Sequence, residues 1–63
     1  MRRYMFTLEW TEWDSTRGRH TVKDNCVVLS DAVDLAMEEA KKEFEREDRH
    51  GLVVTNIYSE EAY

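Results

Sequence analysis

The chain has no proline, two glycines and a single cysteine among its 63 residues. One cysteine cannot form a disulfide framework. Together with two histidines it also does not supply the ligands of the structural metal sites that stabilise many small domains. The longest uninterrupted apolar run, residues 26–29, is far shorter than the ~18 residues of a membrane span, and no apolar signal-peptide segment follows Met1. We therefore expect one soluble, cytosolic domain over residues 1–63, whose core must form from few side chains.

The first half of the sequence predicts a hairpin of two antiparallel strands. The predicted strands cover residues 3–13 and 19–29. Between them, residues 14–18 are Asp, Ser, Thr, Arg and Gly, a composition typical of a turn. The polar pair Asp24-Asn25 interrupts the second strand, and we expect a bulge there. Alternation in the first strand directs its even positions toward the core, and these carry large apolar side chains: Tyr4, Phe6, Leu8 and Trp10.

The second half predicts a helix at 31–50, a third strand at 52–59 and an acidic tail at 60–63. Ser30 suits the N-cap of the helix, and Gly51 stands where a residue with positive φ commonly follows a helix end. Charges four residues apart, such as Glu38 with Lys42 and Glu45 with Arg49, are spaced as helical ion pairs. The apolar positions recur with helical period: Val33, Ala36, Met37, Ala40 and Phe44.

The element order β-β-α-β predicts an α+β fold, in which one helix packs on one face of a three-stranded, antiparallel-type sheet. The small residues Ala36 and Ala40 would allow the helix to approach the sheet closely. We expect one core shared by both layers, formed by Tyr4, Phe6, Leu8, Val22, Val33, Ala36, Ala40 and Phe44.

Residues with catalytic or ligating chemistry are few and separated along the chain. His20 and Cys26 lie six residues apart, about 20 Å along an extended strand, and so cannot touch. We interpret Cys26 as a small core residue, His20 as a strand surface residue and His50 as a helix-end residue. We expect no catalytic residue, no metal site and no cofactor, and hence no enzymatic activity.

Charge is distributed unevenly along the sequence. Residues 1–30 carry a net +1, whereas residues 31–50 hold eight acidic and four basic side chains and the last residues add two more carboxylates, for a net charge of −5. Asp34, Glu38 and Glu45 project from one arc of the predicted helix. This arc is either a solvated helix face or an acidic stripe that docks on a protein with a basic, nucleic-acid-binding groove. Because nucleic-acid binding depends on neutralising phosphates, we do not expect the acidic chain itself to bind nucleic acid directly.

A sheet covered on one face leaves apolar side chains on its other face. Met5 and Trp13 point away from the predicted core, and Leu35 lies on the far side of the helix. The alternation in the last strand leaves its facing open: either Leu52, Val54 and Tyr58 or Val53 and Ile57 point away from the helix. This surface is either the ordinary exposed apolar area of a small domain or a surface for a partner or a second copy.

Two segments of the sequence resemble small tailed-phage host-takeover proteins. The hairpin is followed by the Ser-capped segment 30–36 (SDAVDLA) and then by segment 51–57 (GLVVTNI). The likeness spans residues 20–58 and covers two groups. One is the podophage inhibitor of bacterial RNA polymerase, which binds the DNA-entry channel. The other is the set of small β-β-α-β anti-CRISPR proteins, which bind the Cas surveillance complex.

The resemblance implies a non-enzymatic inhibitor that acts in the cytoplasm of a bacterial host and blocks the nucleic-acid path of a host complex. The polymerase inhibitor relies on arginines in its last strand, where this chain has Asn56 and Tyr58, so the Cas complex is the first expected target and RNA polymerase the second. The predicted partner-binding residues are Asp34, Glu38 and Glu45 for charge complementarity and Trp13 and Tyr58 as buried anchors. The alternative is a homodimeric bacterial adaptor or structural module that pairs through its open sheet face.

Overall fold

A computed structural model describes residues 1–61, and Ala62 and Tyr63 lie outside the described part. Its elements follow the predicted β-β-α-β order, with three antiparallel strands and one helix, which confirms the α+β fold. The elements are strand β1 (Arg2–Asp14), strand β2 (Gly18–Ser30), helix α1 (Val33–Phe44) and strand β3 (His50–Glu61).

The first strand occupies the centre of the sheet, whose strand order is β2-β1-β3. The hairpin pairs β2 along one edge of β1, and the connection through α1 returns the chain so that β3 pairs along the other edge. Phe6, for example, lies between Cys26 and Ile57. A central strand is flanked on both edges, so the strand with the most regular apolar alternation is the one that the fold buries best.

The predicted facing of β1 is confirmed, because Tyr4, Phe6, Leu8 and Trp10 are all buried. The helix lies mainly against β2 on this side, and its two alanines have no exposed surface. Val33 was expected in the core, but it is 43% exposed because it begins the helix at the end of the sheet. The buried core is formed by Tyr4, Phe6, Leu8, Trp10, Cys26, Val28, Ala36 and Ala40.

The bulge predicted at Asp24-Asn25 is absent, and the β1–β2 register runs without a shift from Arg2–Ser30 to Asp14–Gly18. Asn25 fits the regular ladder because its side-chain Oδ1 accepts a hydrogen bond of 3.0 Å from Thr7 Oγ1 on the neighbouring strand. The irregularities instead fall in the β1–β3 pairing, between Thr7 and Leu8 and again between Glu9 and Thr11. The sequence left two alternatives for the residues of β3 that point away from the helix, and neither alternative is correct.

The register shift divides β3 into two segments of opposite parity. Val54 pairs with Leu8, and Ile57 pairs with Phe6, so both lie on the helix side of the sheet. Val53 and Tyr58 lie on the other side, opposite Glu9 and Met5. Ile57 remains 44% exposed on the helix side, because α1 lies mainly over β2 at the other edge of the sheet.

The helix is shorter at both ends than the predicted range 31–50. It begins at Val33, with Ala32 as its N-cap and no side-chain cap; the Ser30 hydroxyl bonds only to the backbone of Ala32, in the turn before the helix. It ends at Phe44, after which Glu45 is extended. Gly51 has the expected positive φ of 65°, but it opens β3 rather than ending the helix.

Two arginines beyond Phe44 bond to carbonyl groups at the end of the helix. Arg46 Nη1 donates to the carbonyls of Glu43 (3.0 Å) and Glu45 (2.7 Å), and Arg49 Nη1 donates to the carbonyl of Phe44 at 2.6 Å. The last carbonyls of a helix have no partner within the helix. Cationic side chains can donate hydrogen bonds to them and interact favourably with the negative end of the helix dipole. The predicted last turn at Arg49 and His50 is not helical: Arg49 lies in the loop after α1, and His50 begins β3.

The predicted acidic tail is part of the sheet over its first two residues. Glu60 and Glu61 belong to β3 and form ion pairs with Arg3 and Arg2 of β1. Because two arginines at the start of the chain face two glutamates near its end, the strand continues where the sequence predicted fraying.

The backbone spans 46 × 17 × 12 Å. A strand of 13 residues extends about 43 Å, whereas a helix of 12 residues extends only about 18 Å. The pairing between β1 and β3 ends at Thr11 and His50. Residues 12–20, called the hairpin tip below, therefore project as a two-stranded ribbon beyond the third strand.

Candidate interaction surfaces

The residues with catalytic chemistry do not converge. His20 pairs with Glu12 and His50 pairs with Thr11, which places the two histidines on opposite faces of the sheet. Cys26 lies in the core, 8% exposed, at the level of Phe6. Over residues 1–61 no group of three or more His, Cys, Asp or Glu side chains could hold a metal ion. Within the same range, no helix has the length and apolar character to cross a membrane.

The Cys26 thiol is the one core group with an altered acidity. Its Sγ lies 4.0 Å from Glu43 Oε2. Burial raises the pKa of the thiol above its ordinary value of 9.0, and the nearby Glu43 carboxylate adds to this effect by opposing a second negative charge. The thiol is therefore protonated and unreactive at neutral pH.

We expect this thiol to make the stability of the fold depend on pH in the alkaline range. Below pH 9.0 both folded and unfolded chains hold the proton; above it the unfolded thiol ionises first, so stability falls as pH rises toward the folded pKa. The difference in unfolding free energy between wild type and Cys26→Ala, measured in urea from pH 7.5 to 10, should narrow above about pH 9. A difference that stays constant over that range would contradict the assignment.

The acidic helix face, defined by Asp34, Glu38 and Glu45, is open to solvent. All three side chains are exposed, and Asp34 and Glu38 are four residues apart on α1, so that their Cβ atoms lie within about 6 Å. Glu45 lies one residue beyond the end of the helix, in extended backbone, and so extends the face rather than completing a helical stripe.

The carboxylates of the acidic helix face are not neutralised by neighbours. The expected pairs Glu38–Lys42 and Glu45–Arg49 do not form, and no ion pair within 4.0 Å involves Asp34, Glu38 or Glu45 in the part of the chain that the structure describes. Arg49 is withdrawn from this surface, because its guanidinium stacks 4.3 Å from the Trp10 ring centroid and lies 3.7 Å from Glu12. The carboxylates of this face are therefore not held in close ion pairs, and Lys42 is the cation beside Glu38 on the same surface.

The open sheet face consists of the odd-numbered side chains of β1 and their cross-strand neighbours, on the side away from α1. Trp13 (74% exposed) and Tyr58 (54% exposed) both lie on this face, opposite Arg19 and Met5 respectively. Eight residues of β1 separate these two levels, about 27 Å along the strand. The two predicted anchors therefore occupy opposite ends of the face and do not form one cluster.

The surface around Tyr58 has more apolar area than the sequence indicated. Val27 is 58% and Leu29 is 50% exposed on the open sheet face, positions that the expected bulge in β2 had made uncertain. A shallow depression crosses the three strands at this end and is lined chiefly by Met5, Thr7, Asn25, Val27, Asn56 and Tyr58. Asn56 and Tyr58, the positions compared with arginines in the resemblance, thus lie side by side with neutral neighbours.

The acidic helix face and the open sheet face belong to opposite layers of the molecule. Asp34 and Glu38 are on the exposed side of α1, whereas Trp13 and Tyr58 are on the side of the sheet that α1 does not cover. A flat partner surface cannot contact both sets at once. A groove with two walls can, because the molecule has only two layers and each wall would meet one of them.

Comparison of the chain with protein-family models, with curated proteins and with solved structures found no match.

Proposed function

We propose that the chain is a non-enzymatic, phage-type inhibitor that binds a host nucleic-acid machine stoichiometrically and blocks its nucleic-acid path. The observation that supports this most directly is the acidic helix face, whose three carboxylates are exposed and have no ion-pair partner among residues 1–61. Exposed carboxylates are complementary to the lysines and arginines that line a groove for phosphates.

In this mechanism inhibition results from occlusion. Asp34, Glu38 and Glu45 pair with cationic side chains on one wall of the groove, and the opposite wall covers part of the open sheet face with Trp13 or Tyr58 as an anchor. A positively charged channel that holds a nucleic-acid duplex is wide enough to admit a small domain of one helix on one sheet. Bound in this way, the protein excludes nucleic acid by charge and by volume.

The Cas surveillance complex is the first proposed target and RNA polymerase the second. The order depends on β3, where Asn56 and Tyr58 supply no positive charge to an acidic docking site. The exposed neutral and apolar side chains of that region favour a target surface without strong negative charge.

The test is charge reversal on the acidic helix face. Glu38→Lys combined with Glu45→Lys should slow association with the purified target about tenfold or more and flatten its dependence on salt, because electrostatic steering acts on the association rate. Glu47→Lys combined with Asp48→Lys is the matched control, since it changes the net charge equally in the exposed loop after the helix. Binding to each complex is measured by surface plasmon resonance at several salt concentrations.

Two results would contradict the proposal in different ways. If the helix-face and loop reversals slow association equally, net charge rather than the acidic helix face governs docking. If wild type binds neither the Cas complex nor RNA polymerase, the proposed targets are wrong.

A second candidate function is a homodimeric adaptor or structural module, and the exposed apolar residues of the open sheet face favour it. Val27, Val53 and Tyr58 are each at least 50% exposed on that face. Sedimentation equilibrium distinguishes the two functions: a tight dimer that Tyr58→Lys dissociates supports the module, and a monomer at high concentration supports the inhibitor.

A further inference from the structure

The hairpin tip carries an aromatic ring that the core does not use. Trp13 is the most exposed of the large apolar side chains, at 74%, and lies directly across from Arg19 on the open sheet face. The surface depression beside it is lined by Thr11, Glu12, Trp13, Arg19, His50 and Gly51. A large, flat and mostly uncovered indole next to a guanidinium is a suitable surface for stacking another aromatic group.

The turn fixes the position of this ring. The Asp14 carboxylate accepts a 2.7 Å hydrogen bond from the Thr16 backbone N–H, and Gly18 adopts a φ of 77° that a larger residue would strain. A Cβ on Gly18 would lie 3.6 Å from Trp13 Cζ3, so the indole rests beside the glycine. The tip is thus ordered by local bonds and does not need a partner to form.

Two cations accompany Trp13 at the hairpin tip. Arg17 and Arg19 are exposed, and neither has a carboxylate within 4.0 Å among the residues described. The tip also has two acidic residues: Glu12 faces Arg49, and Asp14 accepts the hydrogen bond from the Thr16 backbone.

In the folded chain the net charge of −5 opposes nucleic-acid binding less than the sequence alone indicated, because the acidic residues are unevenly distributed. Eight of the fourteen acidic residues lie between positions 31 and 50, in α1 and its flanking segments, whereas Arg17 and Arg19 are at the outer end of the ribbon. With a Debye length of about 10 Å at 0.1 M salt, distant carboxylates on the helix are largely screened from the tip. Within the tip, Glu12 and Asp14 offset Arg17 and Arg19 in formal charge, which keeps the attraction modest.

We propose that the hairpin tip binds single-stranded nucleic acid, with a base stacked on Trp13 and the adjacent phosphates paired with Arg17 and Arg19. A single strand fits because its bases are free to stack, whereas two cations are too few to hold a duplex by its phosphates alone. This binding does not depend on the proposed inhibitor function, because it can occur in the isolated chain.

The test is an NMR titration of the full ¹⁵N-labelled chain with an eight-nucleotide oligothymidylate at about 0.1 M salt, where the carboxylates of α1 are largely screened from the tip. The two indole N–H signals report separately: Trp13 should shift together with the amides of residues 12–20, and Trp10, only 4% exposed, should not. With two phosphate contacts, a tenfold rise in salt should weaken binding about 25-fold.

Matched variants assign the roles of the side chains. Arg17→Gln with Arg19→Gln should abolish most of the salt dependence, whereas Lys41→Gln with Lys42→Gln removes the same charge from the helix and should leave binding unchanged. Trp13→Phe should retain stacking and Trp13→Ala should lose it, with little effect on folding because the side chain is largely exposed.

Three outcomes would overturn the proposal. The absence of a Trp13 shift at millimolar oligonucleotide would assign the tip to protein contact instead. Equal losses in the arginine and lysine double variants would reduce the effect to net charge. Binding of a duplex of the same length as tightly as the single strand would exclude stacking on Trp13.

Discussion

Phe6→Ala should remove most of the unfolding free energy of the protein at 25 °C. The side chain is 1% exposed at the centre of the middle strand, stacked 6.2 Å from the Tyr4 ring and flanked by Cys26 and Ile57. Truncating a buried phenylalanine costs about 3–5 kcal/mol, because it removes apolar burial and leaves a cavity. A chain of this size has a total unfolding free energy of only about 3–9 kcal/mol. Urea denaturation followed by circular dichroism measures the loss.

The control for this prediction is Val27→Ala, on the other face of the sheet. Val27 is 58% exposed, so its truncation should cost less than about 1 kcal/mol, mostly through β-propensity. Equal losses in Phe6→Ala and Val27→Ala would mean that the even positions of β1 are no better covered than the open sheet face, contrary to the packing of α1.

Arg49→Ala should have the second largest effect, a loss of about 2–3 kcal/mol in unfolding free energy. The guanidinium lies 4.3 Å from the Trp10 centroid and 5.9 Å from that of Phe44, and it donates a 2.6 Å hydrogen bond to the Phe44 carbonyl. One side chain thus covers the end of the core, satisfies the helix end and fixes the loop that leads into β3. Thermal and urea unfolding should both register the loss.

Two further variants separate the contributions of Arg49. Arg49→Lys should recover only part of the stability, because an ammonium group lacks the planar stacking surface of guanidinium. Glu12→Gln should cost less than about 1 kcal/mol, since the ion pair is 3.7 Å long and both side chains are about a quarter exposed. If Arg49→Lys is as stable as wild type, charge alone suffices and the stacking on Trp10 contributes nothing measurable.

The sequence was sufficient to predict the features that depend on local pattern. Alternation in β1 gave the correct buried face, the turn residues gave the hairpin, and the spacing of Ala36 and Ala40 gave the helix face against the sheet. The end of the helix was not predictable in the same way. The charged run after Phe44 has good helix formers, but Arg49 is engaged with Trp10, and this contact between distant parts of the chain requires a loop.

The facing of β3 was undetermined for a related reason. The side-chain alternation of β3 reverses at the register shift opposite Thr7 and Leu8. This shift arises from the pairing with β1 and cannot be recognised in the sequence of β3. For the candidate sites, the exposure of Asp34, Glu38 and Trp13 was predictable from pattern. Their distribution over two opposite layers, and the extension of the tip beyond the third strand, depend on strand order and relative length.

The strand order β2-β1-β3 also has a consequence for synthesis of the chain. Arg2 at the start of β1 pairs with Glu61, so the central strand lacks its second neighbour until the ribosome has added residues 50–61. At about 5–20 residues per second, the 31 residues from Ser30 to Glu61 take roughly 2–6 seconds to add. During this interval the hairpin has an unpaired strand edge and an uncovered apolar face, and a lone hairpin is only marginally stable. The nascent chain is therefore most vulnerable to proteases and to association with other chains shortly before its last strand emerges.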